Sequence, residues 1–337
     1  MFHRILVPLD GSAQAERALA VSARLARAMN GTLLLVRVAQ PPLQPASFLA
    51  PPLGVEADIL SAELEQATAY LAQVTGQPEM VEVKHETIPF VGYPAEAILD
   101  AVQTRGADSI ILTSHGRTGL LRWVLGSVAQ RVIYQAIVPV LVLHQQGPLP
   151  LPKSERPLRA LVSLDGSGLA EAVIGPAATL VSALAPQGNG IIHLTRVAPI
   201  SLAEPEASTS TSREAKAREA ALREAEAYLS RTAENLRKGP LAHLQVTWSV
   251  LANKDVAGAL VDLAQHGITA QGGESAGRFD LIAMTTQGRG GLRRLVMGSV
   301  TERVLSASKL PLLVMQPKEV ATNRLNTNQT TKETVPT

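Results

Sequence analysis

Short apolar runs alternate with amphipathic stretches along most of the chain, and the two patterns predict different elements. Runs such as TLLLVRVA have too little polar alternation for a surface strand and fit a strand buried on both faces of a parallel sheet. Stretches such as AERALAVSARLARAMN have apolar residues at helical spacing. In the first half the predicted strands are Arg4–Leu9, Thr32–Ala39, about Met80–Ile88, Asp108–Thr113 and IVPVLVL, which ends at Leu143.

The same order of elements returns in the second half. RALVSL, a DGS turn, a helix and IIHLTRVA repeat the start of the first half, and LPLLVM closes the second half. This repetition predicts two tandem α/β domains, 1–146 and 158–317, each a five-stranded parallel sheet with helices on both faces in a Rossmann-like arrangement. The Pro-rich stretch 147–157 is predicted to be a linker, and the polar tail 318–337 to be disordered.

The composition is that of a globular protein and argues against several partners. Hydrophobic residues make up 46% and charged residues 18% of the 337 positions. A net charge of +2 and 3% aromatic residues give little basis for nucleic-acid binding. No apolar run reaches the roughly 18 residues of a membrane helix, and the absence of cysteine is compatible with a reducing cytosol. We expect a cytoplasmic protein with no nucleic-acid or membrane partner.

A glycine-containing motif occurs near the end of each half. An apolar run ends in a small polar residue, a glycine follows three residues on, and Gly-Ser comes after nine more. The first copy contains Thr113, Gly116, Gly126 and Ser127, and the second contains Thr285, Gly288, Gly298 and Ser299. A strand, a glycine loop and a helix start in this order let backbone N–H groups converge on an anion. We interpret this anion as a nucleotide phosphate.

A second part of each repeat belongs to the same edge of the sheet. Asp10 and Asp165 follow the first strand of their halves, each in a DGS turn. Ligands of parallel α/β sheets bind beyond the carboxyl ends of the strands, near the point where strand order reverses. The aspartate turn and the glycine loop should therefore face one cleft in each domain.

Purely structural roles could account for the same residues. The loop glycines could supply only a positive φ at a turn. Ser127 and Ser299 each begin a capping-box pattern and could cap a helix without binding anything. Asp10 alone is more often a turn residue than a ligand. The recurrence of loop and aspartate turn together favours phosphate binding, and both interpretations stay open here.

Other chemistries lack their residues. The chain has no P-loop lysine motif, no Gly-x-Ser-x-Gly elbow and no paired histidines at metal-ligand spacing. His115 could be proposed as a general base, but its counterpart is Gln287, so a reaction common to both halves cannot depend on it. No catalytic residue is predicted.

Both halves resemble domains of the universal stress protein family, whose nucleotide-binding branch has a Gly-x-x-Gly-x9-Gly-Ser/Thr loop after strand four and an aspartate after strand one. The loop spacing, the DGS turns and the closing VPVLVL and LPLLVM strands carry the resemblance. It implies the adenine-nucleotide alpha-hydrolase-like fold and the binding of ATP or AMP. It also implies pairing of the two domains through their last strands, and two chains could associate further as a homodimer.

By position, the resemblance implies adenine contacts from the backbone of Val38 and Val197. Asp10 and Asp165 would lie near the adenosine or a Mg²⁺ ion that comes with the nucleotide. The other implied nucleotide-binding positions are Pro8, Leu112, Thr113, Gly116, Gly126, Ser127, Val128, Met284, Thr285, Gly288, Gly298, Ser299 and Val300.

The chain departs from the family pattern at two places. Thr113 and Thr285 occupy the position of the first loop glycine, where a side chain could crowd the ribose. The second half also has Ser163 in place of Pro8, and Asn-Lys-Asp where the first half has Gly-Tyr-Pro. We expect the first site to be the stronger one.

Three functions remain open at this point. The favoured one is a regulatory stress-response protein that holds ATP or AMP between the aspartate turn and the glycine loop. The second is a slow ATPase or phosphotransferase, for which no general base common to both halves can be named. The third is an interaction module whose clefts bind no nucleotide.

Overall fold

The computed structural model describes residues 1–40, 55–114, 125–144, 149, 156–185, 189–200, 212–239, 242–267, 277–287 and 297–317. Contacts divide the chain into two compact units, Met1–Gln145 and Gln146–Thr337, called the first and second unit below. Most of the predicted linker and all of the predicted tail lie outside the described residues, so both remain predictions.

The first unit alternates strands and helices around a parallel sheet. Its elements are β1 (Arg4–Pro8), α1 (Ala13–Ala28), β2 (Thr32–Ala39), α2 (Val55–Thr75), β3 (Lys84–Val91), α3 (Pro94–Thr104), β4 (Ser109–Thr113), α4 (Ser127–Gln135) and β5 (Val140–Leu143). The strands lie in the order β3-β2-β1-β4-β5, and every neighbouring pair is parallel.

The second unit repeats this topology with one extra helix break. Its elements are β6 (Leu158–Ser163), α5 (Gly168–Glu171), α6 (Ile174–Leu184), β7 (Gly190–Ala198), α7 (Ser212–Lys238), β8 (Gln245–Ala252), α8 (Val256–His266), β9 (Leu281–Thr285), α9 (Ser299–Ala307) and β10 (Leu312–Met315). Its parallel strands lie in the order β8-β7-β6-β9-β10. The predicted α/β class and five-stranded parallel sheets are therefore confirmed. Among the described helices, none has the length and apolar character needed to cross a membrane.

The inner strands are apolar because helices cover both of their faces. Ile5, Leu6 and Val7 of β1 are each fully buried, as are Leu33, Leu34 and the rest of the central run of β2. Strand order reverses at β1, since the chain builds β2 and β3 on one side of it and β4 and β5 on the other. Right-handed crossovers then place α1 and α2 on one face and α3 and α4 on the other. The carboxyl ends of β1, β2 and β4 border this reversal point.

Two predicted strands, β3 and β5, begin three or more residues later than the sequence indicates. β3 begins at Lys84 instead of Met80, because Pro78–Met80 forms a 3-10 turn in which Met80 N donates to Gln77 O over 2.9 Å. That turn buries Met80 in the core, so the apolar residue that extended the predicted strand belongs to another element. β5 begins at Val140, directly after Pro139.

The single helix predicted after the second DGS turn is wrong, because the chain forms α5 and α6 instead. Pro176 has no backbone N–H to donate to the carbonyl of Ala172, and its ring crowds that carbonyl. The break falls there, at Ala172 and Val173. Pro176 itself lies in the first turn of α6, where a missing donor costs little.

Candidate functional site

The DGS turns have a backbone that requires glycine. Gly11 has φ 84° and Gly166 has φ 87°, which are left-handed conformations that side chains disfavour. Asp10 fixes the first turn, because its Oδ1 accepts hydrogen bonds from Ser12 N at 3.0 Å and from Ser12 Oγ at 2.6 Å. Ser12 Oγ in turn accepts from Ala15 N at 3.1 Å and caps α1.

The second unit reproduces this turn bond for bond. Asp165 Oδ1 accepts from Ser167 N at 2.9 Å and from Ser167 Oγ at 2.6 Å, and Ser167 Oγ accepts from Ala170 N at 3.2 Å. The structural interpretation of Asp10 as a turn residue is therefore confirmed in both copies. Among the described residues, no group of three or more acidic or histidine side chains is placed to hold a metal ion.

Beside each turn, the second strand of the unit extends past the first. The β1–β2 ladder ends at Pro8 opposite Val36, and Leu9 N donates to Val36 O over 2.8 Å. β2 continues to Ala39, paired on its other side with β3. Successive residues of a parallel strand direct their amide and carbonyl groups to opposite neighbours. The amide and carbonyl of Val36 face β1. Those of Val38, two residues on, therefore face the same side, beyond the carboxyl end of β1.

The same overhang is present in the second unit. The β6–β7 ladder ends at Ser163 opposite Thr195, and Leu164 N donates to Thr195 O over 2.8 Å. Val197 therefore presents its amide and carbonyl beyond the end of β6, while β7 continues to Ala198 along β8. The second unit has Ser163 in place of Pro8, and the register between its first and second strands is the same as in the first unit.

The helix that follows the glycine loop begins without a side-chain cap. Gly126 and Gly298 are the N-cap residues of α4 and α9, and neither helix has a side-chain cap hydrogen bond. Gly126 N donates to Ser114 O over 2.8 Å, and Gly298 N donates to Thr286 O over 2.7 Å, which ties each helix start to its strand end.

The capping-box interpretation of Ser127 and Ser299 is therefore wrong. Each serine is the first helical residue, one position too late to cap, and its side chain is exposed. The first-turn N–H groups of α4 and α9 are left without a side-chain cap. Such helix starts are typical anion sites when a second group defines the ligand.

The remaining predicted positions differ in their access to solvent. Leu112 and Met284 are each 4% exposed, so their side chains belong to the core. Pro8, Val38, Thr113, Val197 and Val300 are half-buried, and Val128 is exposed. Gly116 and Gly288 lie outside the described residues, as does His115.

Thr285 is held inward, although it replaces a family glycine. It is 6% exposed, and its Oγ1 donates to Gln287 O over 2.8 Å. Thr301 Oγ1 of α9 donates to Thr285 O over 2.9 Å. These bonds fix the end of β9 against the helix that carries Gly298 and Ser299.

The turn after the third strand is rebuilt with different residues. Gly92 N donates to Ala39 O over 3.0 Å in the first unit, and Asn253 N donates to Ala198 O over 3.0 Å in the second. At the start of α8, Asp255 caps the helix by accepting a hydrogen bond from Gly258 N at 3.0 Å, whereas α3 begins with Pro94. That hydrogen bond and the nearby Arg303 lower the pKa of Asp255. The loss of Gly-Tyr-Pro therefore preserves the hydrogen bond to the second strand, although Gly92 has φ 145° and Asn253 does not have a positive φ.

Sequence reasoning missed a cluster of glutamate, tyrosine and arginine beside each turn. In the first unit, Tyr70 OH donates to Glu16 Oε1 over 2.9 Å, and the Arg37 guanidinium lies 4.9 Å from the centre of the Tyr70 ring. Burial and the bond to Glu16 raise the pKa of Tyr70, so the phenol stays protonated. Arg37 precedes Val38, so the cluster supports the strand end that carries Val38.

The second unit has the same cluster. Tyr228 OH donates to Glu171 Oε1 over 2.8 Å, and the Arg196 guanidinium lies 5.7 Å from the Tyr228 ring centre. Burial and Glu171 raise the pKa of Tyr228. Aligning the two halves would have indicated this cluster, because each glutamate lies four residues after the serine of its DGS turn and each arginine lies directly before the valine.

Comparison with known proteins gives consistent matches. The profile of the universal stress protein family matches residues 1–144 and 274–316. A universal stress protein of Thermus aquaticus is 35% identical over 147 residues, which are 43% of this chain and 100% of that protein. A universal stress protein of Mycolicibacterium smegmatis is 23% identical over 321 residues, which are 93% of this chain and 97% of that protein.

A similarity of fold extends over nearly the whole chain. The crystal structure of a universal stress protein from Archaeoglobus fulgidus aligns with a TM-score of 0.61 at 20% sequence identity, covering 94% of this chain and 99% of that one. Both the M. smegmatis protein and the A. fulgidus structure are matched over almost their full length, so the tandem arrangement occurs in relatives.

Proposed function

This chain belongs to the universal stress protein family, and on that premise we propose that it is a regulatory protein that binds ATP or AMP at the carboxyl edge of each unit. The observation that carries the proposal is the strand overhang at Val38 and Val197. Each presents one backbone N–H and one C=O, side by side, beyond the end of the neighbouring strand.

This pair of groups matches adenine. Adenine carries an acceptor, N1, beside a donor, the N6 amino group, so the valine N–H can donate to N1 and its C=O can accept from N6. Guanine carries the reverse order, with the O6 acceptor beside the N1–H donor. Its donor would face the valine N–H and its acceptor would face the valine C=O. A buried polar group without its partner costs about 1–3 kcal/mol. The edge should therefore prefer ATP to GTP.

The phosphates would lie at the starts of α4 and α9. Uncapped N–H groups and the helix dipole favour negative charge there. Glycine suits the N-cap for close approach, because a Cβ at Gly298 would lie 3.2 Å from Thr286 O. Asp10 and Asp165 would contact the ribose or a Mg²⁺ ion carried by the phosphates, in addition to their role in the turn.

The test is a calorimetric titration of nucleotide-free protein with Mg-ATP, Mg-AMP and Mg-GTP. The sharpest variant is Val38→Pro, with Val197→Pro for the second unit. Proline removes the N–H that would hold adenine, yet that N–H faces away from β3, so the β2–β3 ladder keeps its bonds. The matched control is Val38→Ala, which shortens the side chain and keeps the N–H.

We expect Val38→Pro to weaken ATP binding about tenfold, the value of one hydrogen bond, and Val38→Ala to change it about twofold or less. Equal binding by the Pro variant, or a preference for GTP, would contradict the adenine assignment. Folded wild-type protein that binds neither ATP nor AMP would favour the interaction module. Steady turnover of labelled ATP would favour the enzyme instead.

A further inference from the structure

A groove of about 570 Å³ lies in the second unit between α5–α6 and α7. Its walls include Glu171, Ile174 and Gly175 on one side and Tyr228, Arg231 and Asn235 on the other. This volume is in the range of small-molecule sites. We propose that the groove binds a free amino acid or a similarly small zwitterion. The groove shares Glu171 and Tyr228 with the cluster beside the second DGS turn, but the proposal does not depend on nucleotide binding.

In the first unit, the side chain of Gln77 occupies the equivalent place. Glu16 corresponds to Glu171, and Tyr70 corresponds to Tyr228. Both oxygens of Glu16 are used there, because Oε1 accepts from Tyr70 OH at 2.9 Å and Oε2 accepts from Gln77 Nε2 at 2.9 Å. An amide N–H donor therefore satisfies this carboxylate within the protein itself.

The second unit lacks that amide contact. Asn235 stands seven residues after Tyr228, where Gln77 stands seven after Tyr70, and its side chain is one methylene shorter. Among the described residues, the hydrogen bond that Glu171 accepts comes from Tyr228 OH, over 2.8 Å. The carboxylate lines the groove and has room for one more N–H donor, as Glu16 has in the first unit.

The helix break widens the same place. Gly175 stands where α1 has Ala20, and a Cβ added at Gly175 would meet no atom within 4 Å. Pro176 interrupts the helix next to it. The groove thus coincides with three local differences, namely a shortened amide on α7, a missing methyl group on α6 and the break between α5 and α6.

Charge and shape together specify a zwitterion. Glu171 supplies negative charge on one wall, suited to an ammonium group. Arg231, exposed on the other wall with its Nε bonded to Ala227 O, supplies positive charge suited to a carboxylate. Ile174 and Leu236 add apolar surface for a short side chain. Phosphate esters would face the Glu171 charge, and simple cations would face Arg231, so each would bind less well.

The experiment uses the full chain and L-alanine as the probe, because it is a zwitterion whose short side chain suits the apolar surface of Ile174 and Leu236. Two-dimensional NMR would follow the backbone amides of the groove, with Glu16 and Tyr70 as internal references. We expect saturable shifts at Glu171, Gly175 and Tyr228 and none at the references. Acetate and n-propylammonium, which each carry only one of the two charges, should bind at least about tenfold more weakly.

Two blocking variants keep the proposal falsifiable. Gly175→Leu fills the groove from a helical position with open space and favours the helix, so a loss of binding is not a loss of folding. Asn235→Gln restores the amide of the first unit. Each should weaken binding about tenfold or more. Absence of saturable shifts in the wild type, unchanged binding in both variants, or equal shifts in the first unit would overturn the proposal.

Discussion

The two units share their DGS turns but differ in the sheet interior. Leu34 of β2 is fully buried, and its counterpart on β7 is His193, which is 2% exposed. His193 is bonded through Nδ1 to Thr247 Oγ1 and through Nε2 to Ser249 Oγ, both at 2.8 Å. The first unit has no such pair, because Glu86 and Ile88 stand opposite Leu34 and Val36.

The difference separates two kinds of constraint. The aspartate turns have the same bonds in both units, because a left-handed glycine and a capping serine leave few alternatives. The interior accepts a histidine only together with two hydroxyl partners, since each buried ring nitrogen needs one. A single exchange between the units should therefore cost about twice as much unfolding free energy in one direction as in the other.

The largest effect is expected for Leu34→His, which brings the histidine into the first unit without its hydroxyl partners. A buried, unpaired imidazole together with a lost leucine should cost about 4 kcal/mol of unfolding free energy. The reverse exchange, His193→Leu, should cost about half as much, because it leaves two hydroxyl groups that can turn to other acceptors. Urea unfolding followed by circular dichroism measures both. Equal losses would refute the asymmetry.

The second effect is a dependence of stability on pH that comes from His193 of the second unit. Burial, with Arg159 nearby, lowers the pKa of His193 to about 4. The unfolded chain has a histidine pKa of about 6.5. Below that pH the unfolded state gains a proton that the folded state does not, so stability falls as the pH drops towards 4, by about 3 kcal/mol in all.

The control for this pH effect is His193→Leu. Unfolding midpoints measured at about pH 7 and about pH 4.5 should differ less in this variant than in the wild type, because the titrating group is gone. The same drop in both proteins would assign the acid sensitivity to other groups. The carboxylates of both units titrate in the wild type and in the variant alike, so their contribution to the pH dependence is the same in both proteins.

A smaller effect is expected at the aspartate turns, where the units are alike. Asp10→Ala removes the acceptor for Ser12 N and Ser12 Oγ and should cost about 1.5 kcal/mol, with a similar loss for Asp165→Ala. Asp10→Asn keeps an oxygen in the same place and should cost about 0.5 kcal/mol or less. Thermal unfolding distinguishes them. A clearly larger loss of unfolding free energy for one of the two alanine variants would show that the two aspartate turns are not equivalent.

The smallest effect concerns a surface ion pair. Arg131 of α4 contacts Glu96 of α3 over 2.6 Å, and about half of each side chain is exposed. Arg131→Ala should therefore change the unfolding free energy by about 0.3 kcal/mol. The similar pair in the second unit is Arg303 with Asp255, at 2.9 Å, and Arg303→Ala should be comparably mild because Asp255 keeps its bond from Gly258 N. Denaturation in low and in high salt would test both.

The sequence predicted those features that depend on neighbouring residues. β2 has the predicted bounds, Thr32–Ala39, because one apolar run contains the whole strand. The DGS turn follows from three adjacent residues. The break before α6 could also have been predicted, since Pro176 and Gly175 are local signals against a continuous helix.

The features that sequence reasoning missed depend on contacts between distant elements. Tyr70 and Glu16 are separated by 54 positions, and nothing in either segment indicates that they meet. The groove depends on how far Asn235 of α7 reaches towards Glu171, a difference of one methylene that matters only once the two helices are packed. Equivalence between the halves is the one signal in the sequence that could have revealed such pairs.

The overhanging strand ends have a consequence for genetic screens. Val38 and Val197 offer main-chain atoms, and an alanine scan leaves main-chain atoms in place. An alanine scan would therefore report the supporting residues around these positions and miss the proposed adenine contact. Drift in the valine side chains should be tolerated across relatives for the same reason, whereas the length of each overhang should not change.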